Sequence, residues 1–432
     1  MKKSLQKVIF SVASVTFAAG LLAGTALAQT SQVGPTPSAT VPAGATAPKS
    51  GGPGVTVPAA RGDALFGRPQ GSTLAPVDSP PLPTAATSLP TDKLKAPAGF
   101  KVEVFASGIP DARSMRVSDK GTVFVGNRLL DKVYAITQVD GKSKVQVIAS
   151  GLHRPNGVAL HGGNLYVAEL NKIWRFDNIE ANLDHPPKPV LIYDDLPSDE
   201  AHGWKFIGIG PDNKLYVPIG APGNILMPPP TNAQIRRMDL DGKNVEMVAT
   251  GVRNSVGFDW NPVTKDFYFT NNARDWLSED LPNDTLHIVP ASMTKAPNFG
   301  YPYCHQGNFT DPEYGWGKNC DDYAKPAALL GPHVASLGMR FYTADKFGPE
   351  YKNAIFVALH GSWDRTVKTG GDVEVVKLNQ DGSVASQAPF LTGFLQNNQY
   401  VGRPVDVQPM PDGSLLVSDD WNGAIWRVSK TN

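Results

Sequence analysis

The sequence predicts an all-β protein, a six-bladed β-propeller with four-stranded antiparallel blades. Three observations predict it. A short apolar-aromatic strand ending on a polar turn recurs six times, centred on Phe124, Tyr166, Tyr216, Tyr268, Phe356 and Leu416. Self-similarity at a near-regular period marks a repeat architecture. Successive centres are 42, 50, 52, 88 and 60 residues apart, and four short strands need about 40–50 residues per blade. Helical periodicity is nearly absent, whereas the hairpin dipeptides Asp140-Gly141, Asp241-Gly242, Asp381-Gly382 and Asp412-Gly413 abound.

The elements follow in chain order. Residues 1–28 read as a secretory signal peptide: Lys2 and Lys3, an apolar stretch from Val8 to Leu22, and a small-residue cleavage site at Ala26 to Ala28. The expected location is the periplasm. Residues 29–95 are rich in Pro, Ala, Thr, Ser and Gly and carry few charges. Such a segment buries too little apolar surface to offset its ordering entropy, so a disordered leader is expected. Residues 96–432 hold the six repeats and form the propeller. The 88-residue step is too long for a plain blade. It contains Cys304, Cys320 and the run from Pro326 to Leu330, and it reads as an insertion between blades. The sixth blade is expected to be closed by a strand from the other end of the domain.

Composition excludes several partners. Forty basic residues balance forty acidic ones, and no basic stripe suits nucleic acid. The mature chain has no apolar run long enough for a transmembrane segment. In an oxidising compartment the two cysteines predict a disulfide. They do not form a Cys-x-x-Cys-His motif, so a haem-based electron acceptor would be a separate molecule.

Propeller loops at one end of the central channel are the natural ligand site. The polar residues leading into the strands are therefore the candidates. His202 precedes the third repeat, where a histidine can take a proton near neutral pH or simply hydrogen-bond its own loop. Arg154, Arg253 and Arg403 lead into the second, fourth and sixth repeats. Three guanidinium groups in matching places suit a planar polyanion, or they staple neighbouring blades. The loop carrying Asn271, Asn272, Asp275 and Asp284 offers oxygen ligands for Ca²⁺, or is a solvated loop held by side-chain turns. Trp363, with Asp364 and Arg365 beside it, could stack on a flat ligand or pack on a blade edge.

In order, these motifs resemble the soluble sugar dehydrogenases that use pyrroloquinoline quinone, most of all their sorbosone dehydrogenase branch. The resemblance runs from about Phe100 to Val428. It rests on Arg154-Pro-Asn-Gly157, His202 with Ile209-Gly-Pro-Asp212, Gly251-Val-Arg-Asn254, Asn298-Phe-Gly-Tyr-Pro302, His360-Gly-Ser-Trp363 and Gly402-Arg-Pro-Val-Asp406. It implies a quinoprotein that oxidises a sugar or sugar-derived aldehyde, with a separate cytochrome c or quinone as electron acceptor. It implies His202 as general base, and Asn156, Arg253, Asn254 and Arg403 as quinone contacts. The main-chain carbonyls of Ala273 and Arg274 would hold Ca²⁺. Glucose-oxidising members carry Asp before the base, where this chain has Ala201. They also carry a lysine in the fifth-blade loop, a role that falls here to Arg365. Both departures point away from glucose. A Ca²⁺-dependent propeller lactonase and a non-catalytic binding propeller are the alternatives.

Overall fold

The computed structural model describes residues 72–76 and 78–431. The expected signal peptide and most of the expected leader lie outside them. Six four-stranded sheets form the blades. Blade one comprises Ala112–Val117, Val123–Asn127, Val133–Val139 and Lys142–Ala149; blade two comprises Gly157–His161, Asn164–Ala168, Ile173–Phe176 and Val190–Tyr193. Blade three comprises Gly208–Ile209, Leu215–Ile219, Gln234–Met238 and Glu246–Thr250; blade four comprises Phe258–Trp260, Phe267–Asn271, Asn283–Val289 and Ala328–Pro332. Blade five comprises Ser336–Phe341, Ile355–Leu359, Asp372–Leu378 and Val384–Leu391. Blade six takes Pro404–Pro409, Leu415–Asp419 and Ala424–Lys430 from the C-terminal end, and Phe100–Ser107 as its outer strand. The first strands of neighbouring blades pack together around the axis.

Each of the six recurring apolar centres is the second strand of a blade. These strands are buried on both faces because each lies between two neighbouring sheets. That is why they read as continuous apolar runs rather than as alternating ones. Six of the buried hydrophobic clusters are each shared by two adjacent blades. Phe124 and Val133 of blade one meet Val158 and Leu165 of blade two. Around the ring, Phe356 and Val373 of blade five meet Val417 and Trp426 of blade six, and Leu416 and Ile425 of blade six meet Met115 and Val125 of blade one. At the first hairpin turn Asp140 and Gly141 both have positive φ, 51° and 73°, as a two-residue turn between twisted strands requires.

Two expectations are corrected. The long step is an insertion within blade four, between its third and fourth strands, because residues 328–330 belong to that blade's outer strand. The insertion contains the Cys304–Cys320 disulfide, with Cα atoms 5.6 Å apart, and a small hairpin of Cys304–His305 with Phe309–Thr310. The last part of the expected leader is packed rather than disordered. Leu89 and Leu94 are buried in the cluster between blades five and six. The Thr84 amide donates to the Asn422 carbonyl at 3.0 Å, and Lys95 bridges Thr392. Two leucines in the right place are enough to anchor a segment whose average composition is polar.

A chain beginning at residue 96 should therefore lose about 2–5 kcal/mol relative to one beginning at residue 78, since both leucines leave the core. Calorimetry of the two truncations checks this. Replacing Cys304 by Ser should cost about 3 kcal/mol through the loop-closure entropy returned to the unfolded chain, read as a fall in denaturation midpoint.

Candidate functional site

The candidate residues converge on the loops at one rim of the propeller, and His202 is their best-defined member. Its turn is held from several sides. Arg154 pairs with Glu200 at 2.7 Å. Asn232 donates to Asp199 and to the Gly220 carbonyl, both at 3.1 Å. The buried Lys205 ammonium donates to the Gly203 carbonyl. Burial pushes Lys205 down to about 8, against the pull of Asp199. Two glycines allow the approach: a Cβ on Gly203 would lie 1.8 Å from the Asp199 carbonyl oxygen, and one on Gly220 would lie 2.5 Å from the Cβ of His202.

His202 itself is buried, with φ 49°. Its Nδ1 lies 2.8 Å from the Ala221 carbonyl oxygen. A carbonyl only accepts, so Nδ1 carries the hydrogen and Nε2 keeps its lone pair. Burial, and then the Arg253 charge, push the imidazole down to about 3. It is therefore neutral at physiological pH and presents a base at Nε2.

Arg253 is the hub beside it. The Ala221 amide donates to the Arg253 carbonyl at 2.7 Å. The guanidinium donates to the Asn224 carbonyl at 2.8 Å, to Asn224 Oδ1 at 2.9 Å and to Asp275 at 2.8 Å. Burial raises the Asp275 carboxyl to about 6 although Arg253 opposes it. Asn254 is buried, bonded through its side-chain amide to Asn272 at 3.4 Å. Next along the chain, Ala273 donates its amide to Asp284 at 2.9 Å. The Arg274 side chain is committed to Asp311 and Glu313 at 2.7 and 2.8 Å. Among the described residues, no donor occupies the carbonyl oxygen of Ala273 or Arg274. Those two oxygens could hold a hard cation.

A second cationic group lies across blades five, six and one. Arg403 donates to the His360 and Gly361 carbonyls at 3.2 and 2.9 Å and lies over the Tyr400 ring. Arg113 pairs with Asp420 at 2.8 Å, and His360 Nε2 is 3.0 Å from the same carboxylate. Burial alone would raise Asp420; His360 and Arg113 hold it well below the usual carboxylate range. Asn156 is fully buried between blades, donating to the Lys205 carbonyl at 2.9 Å and accepting from Arg113. Trp363 meets Trp276 edge-on at 5.2 Å, and Arg128 lies over Trp204.

The structure thus brings His202, Arg253 and Asn254 together, and groups Arg403 with Asn156 through Arg113 and Asp420. Arg154 does not join the buried cations; it clamps the His202 turn through Glu200. Arg365 is turned to the Val367 carbonyl and to Asp280 at 2.9 and 3.1 Å, pinning one loop to another. Sequence reasoning missed Arg113, Asp420, Trp276 and His333. Arg113 had a signal: it stands at the start of the first strand of blade one, close to where Arg154, Arg253 and Arg403 lead into theirs. A cleft of about 610 Å³ on the flank of blades three and four contains none of these residues.

Known proteins share this architecture. The chain is 33% identical over 361 residues to an uncharacterised protein of Borreliella burgdorferi, covering 80% of this chain and 93% of that one. It is 24% identical to a pyrroloquinoline quinone-dependent pyranose dehydrogenase of Coprinopsis cinerea over 79% of this chain, but spans only 55% of that longer protein. The solved quinone domain of the Coprinopsis pyranose dehydrogenase superposes with a TM-score of 0.68 at 21% identity, covering 82% of this chain and all of that domain (100%). The soluble aldose sugar dehydrogenase of Escherichia coli superposes with a TM-score of 0.58 at 17% identity, covering 77% of this chain and 99% of that one. A profile of the TrAA12-like family matches residues 94–431, and the chain belongs to that family.

Proposed function

We propose that this protein is a quinoprotein oxidoreductase that oxidises a sugar or sugar-derived aldehyde, of aldose or sorbosone type, with pyrroloquinoline quinone and Ca²⁺. The carrying observation is His202: a buried, neutral imidazole with Nε2 free to accept, set beside a buried arginine hub. The relatives named for pyranose and aldose oxidation support the reading.

The residues fit the cofactor. A flat tricarboxylate suits a rim carrying the buried Arg113, Arg253 and Arg403 and the indoles of Trp204, Trp276 and Trp363. The indole N–H groups of Trp204 and Trp276 and the Nε of Arg128 are buried without partners, as donors awaiting acceptors are. The Ala273 and Arg274 carbonyls are the Ca²⁺ ligands in this reading. When bound, the quinone–Ca²⁺ pair supplies the hydride acceptor and its Lewis acid. The protein supplies the rest. His202 Nε2 takes the proton of the substrate hydroxyl as hydride leaves the adjoining carbon, and the Ala221 carbonyl, bonded to Nδ1–H, steadies the imidazolium that results. Reoxidation needs a separate acceptor, a cytochrome c or a quinone. The disulfide accords with export to the periplasm. A lactonase site would not need the buried arginines.

Three outcomes are expected. The quinone-free protein should be inactive in a dye-linked assay and regain activity only with quinone and Ca²⁺ together; full activity in excess chelator would reject the reading. His202→Ala should lower turnover about 10²–10⁴-fold with little change in quinone affinity, whereas Arg253→Ala should weaken quinone binding first. Kinetics and cofactor titration separate the two. Finally, His202 has a lower proton affinity folded (about 3) than unfolded (6.5), so the unfolded state binds more protons between those values. Its contribution to stability is complete above pH 6.5 and is lost as pH falls. The melting temperature of His202→Gln relative to wild type should therefore rise as pH drops from about 6.5 towards 4; a pH-independent difference would contradict the burial argument.

A further inference from the structure

One largely buried cluster adjoins this rim through the Arg253–Asp275 ion pair and is given no step in the proposed reaction. Asp275, His333 and Asp364 each place a potential ligand atom within 4.8 Å of the others. They come from three places in the chain. Asp275 follows the second strand of blade four, His333 lies on the turn between blades four and five, and Asp364 follows the second strand of blade five.

The protonation of His333 can be read from its partners. Its Nε2 lies 2.7 Å from the Ser278 carbonyl oxygen and 3.1 Å from that of Leu281. Both oxygens only accept, so Nε2 carries a hydrogen. In a neutral ring Nδ1 then holds the lone pair. That atom faces Asp364 Oδ2 at 3.1 Å, with both side chains almost fully buried. A lone pair against a carboxylate is repulsive, and no second carboxylate would ease it; yet Asp275 stands beside them. The other oxygen of Asp364, Oδ1, is buried with no partner at all. Arg253 is the cation in contact with Asp275. The cluster is short of one positive centre.

We propose that Asp275, His333 and Asp364 bind a divalent first-row transition cation of the Zn²⁺ or Mn²⁺ class. The spacing suits such an ion. At metal–ligand distances of about 2.0–2.2 Å, donors at right angles lie about 2.8–3.1 Å apart and opposite donors about 4.0–4.4 Å apart. The 3.1 Å between Nδ1 and Oδ2 is such an edge. An imidazole nitrogen with two carboxylates selects these ions over Ca²⁺, which takes six to eight oxygens. The Nε2–H bonds to Ser278 and Leu281 are the outer contacts that fix a ligating histidine's tautomer. The cation ties the Asp275 loop of blade four to the Asp364 loop of blade five. It is a second ion, separate from Ca²⁺ on the Ala273 and Arg274 carbonyls, and the inference does not rest on the quinone reading.

The test uses the full mature protein, stripped of metal and free of quinone. Titration with Zn²⁺ and with Mn²⁺, followed by calorimetry and metal analysis after dialysis, should give one bound equivalent and a rise of several degrees in melting temperature. Co²⁺ as a probe should give visible absorption bands of a nitrogen-oxygen site. His333→Gln and Asp364→Asn should each weaken Zn²⁺ binding at least tenfold while keeping the wild-type circular dichroism spectrum. If either variant fails to fold, the stoichiometry and Co²⁺ spectrum of the wild type decide. No saturable binding of Zn²⁺ or Mn²⁺ would overturn the proposal and make His333 an imidazolium held between two carboxylates. Binding of Ca²⁺ alone, or Zn²⁺ binding unchanged in both variants, would overturn it equally.

Discussion

Closure of the ring governs everything else in this structure. Each blade buries both faces against its neighbours, so no blade has a complete core by itself. The ring has a core only if the last blade meets the first. That meeting is made by pairing Phe100–Ser107 with Ala424–Lys430, from Lys430 opposite Phe100 to Ala424 opposite Ser107. The pairing removes two exposed sheet edges and joins the chain's distant ends. Leu89 and Leu94 extend the same logic: the segment ahead of the closing strand packs across the cluster of blades five and six.

A closed ring also explains why charge can be buried at its rim. An unpaired charge removed from water costs several kcal/mol, so the buried arginines there have partners, and several of those partners lie on a different blade. Arg113 of blade one reaches Asp420 beyond the second strand of blade six. Arg253 reaches Asp275 and Asn224. Such pairs add little net stability, but they fix the lead-in segments of different blades relative to one another. His202 profits from this rigidity. Its tautomer is set by Ala221, whose amide is in turn bound to the Arg253 carbonyl. Geometry and protonation state at the candidate base thus depend on blade three and blade four together.

What was legible in the sequence follows from what repeats. The second strands are buried on both faces in every blade, so their apolar runs recur and the blade count could be read directly. Among the lead-in residues, Arg154, Arg253 and Arg403 recur in matching places and stood out for that reason, whereas Asn156 and Asn254 were singled out only through the family resemblance. Asp420, His333 and Trp276 were not readable, because they follow second strands or sit on turns where nothing repeats. Their grouping is a product of the ring, which brings positions more than three hundred residues apart, such as Arg113 and Asp420, into contact. The insertion was placed between blades because strand four of blade four, residues 328–332, is short and ends on Gly-Pro. Only its pairing with residues 283–286 reveals it as a blade strand.

The insertion is not an ornament on the ring. Arg274 sits in the loop proposed to face the cation and sends its guanidinium outward to Asp311 and Glu313 of the insertion. His305, beside Cys304, bonds the same Asp311 at 2.7 Å. Burial would raise the Asp311 carboxyl, but the bonds from His305 and Arg274 hold it far below the carboxylate range. Asp311 is therefore an anion throughout the physiological range and a permanent partner for Arg274. Removing one member of such a buried pair strands the other charge, at about 3–5 kcal/mol. The Cys304–Cys320 bridge closes the loop that carries His305 and Asp311. The disulfide thereby bears on the position of Ala273 and Arg274, through one carboxylate and one guanidinium.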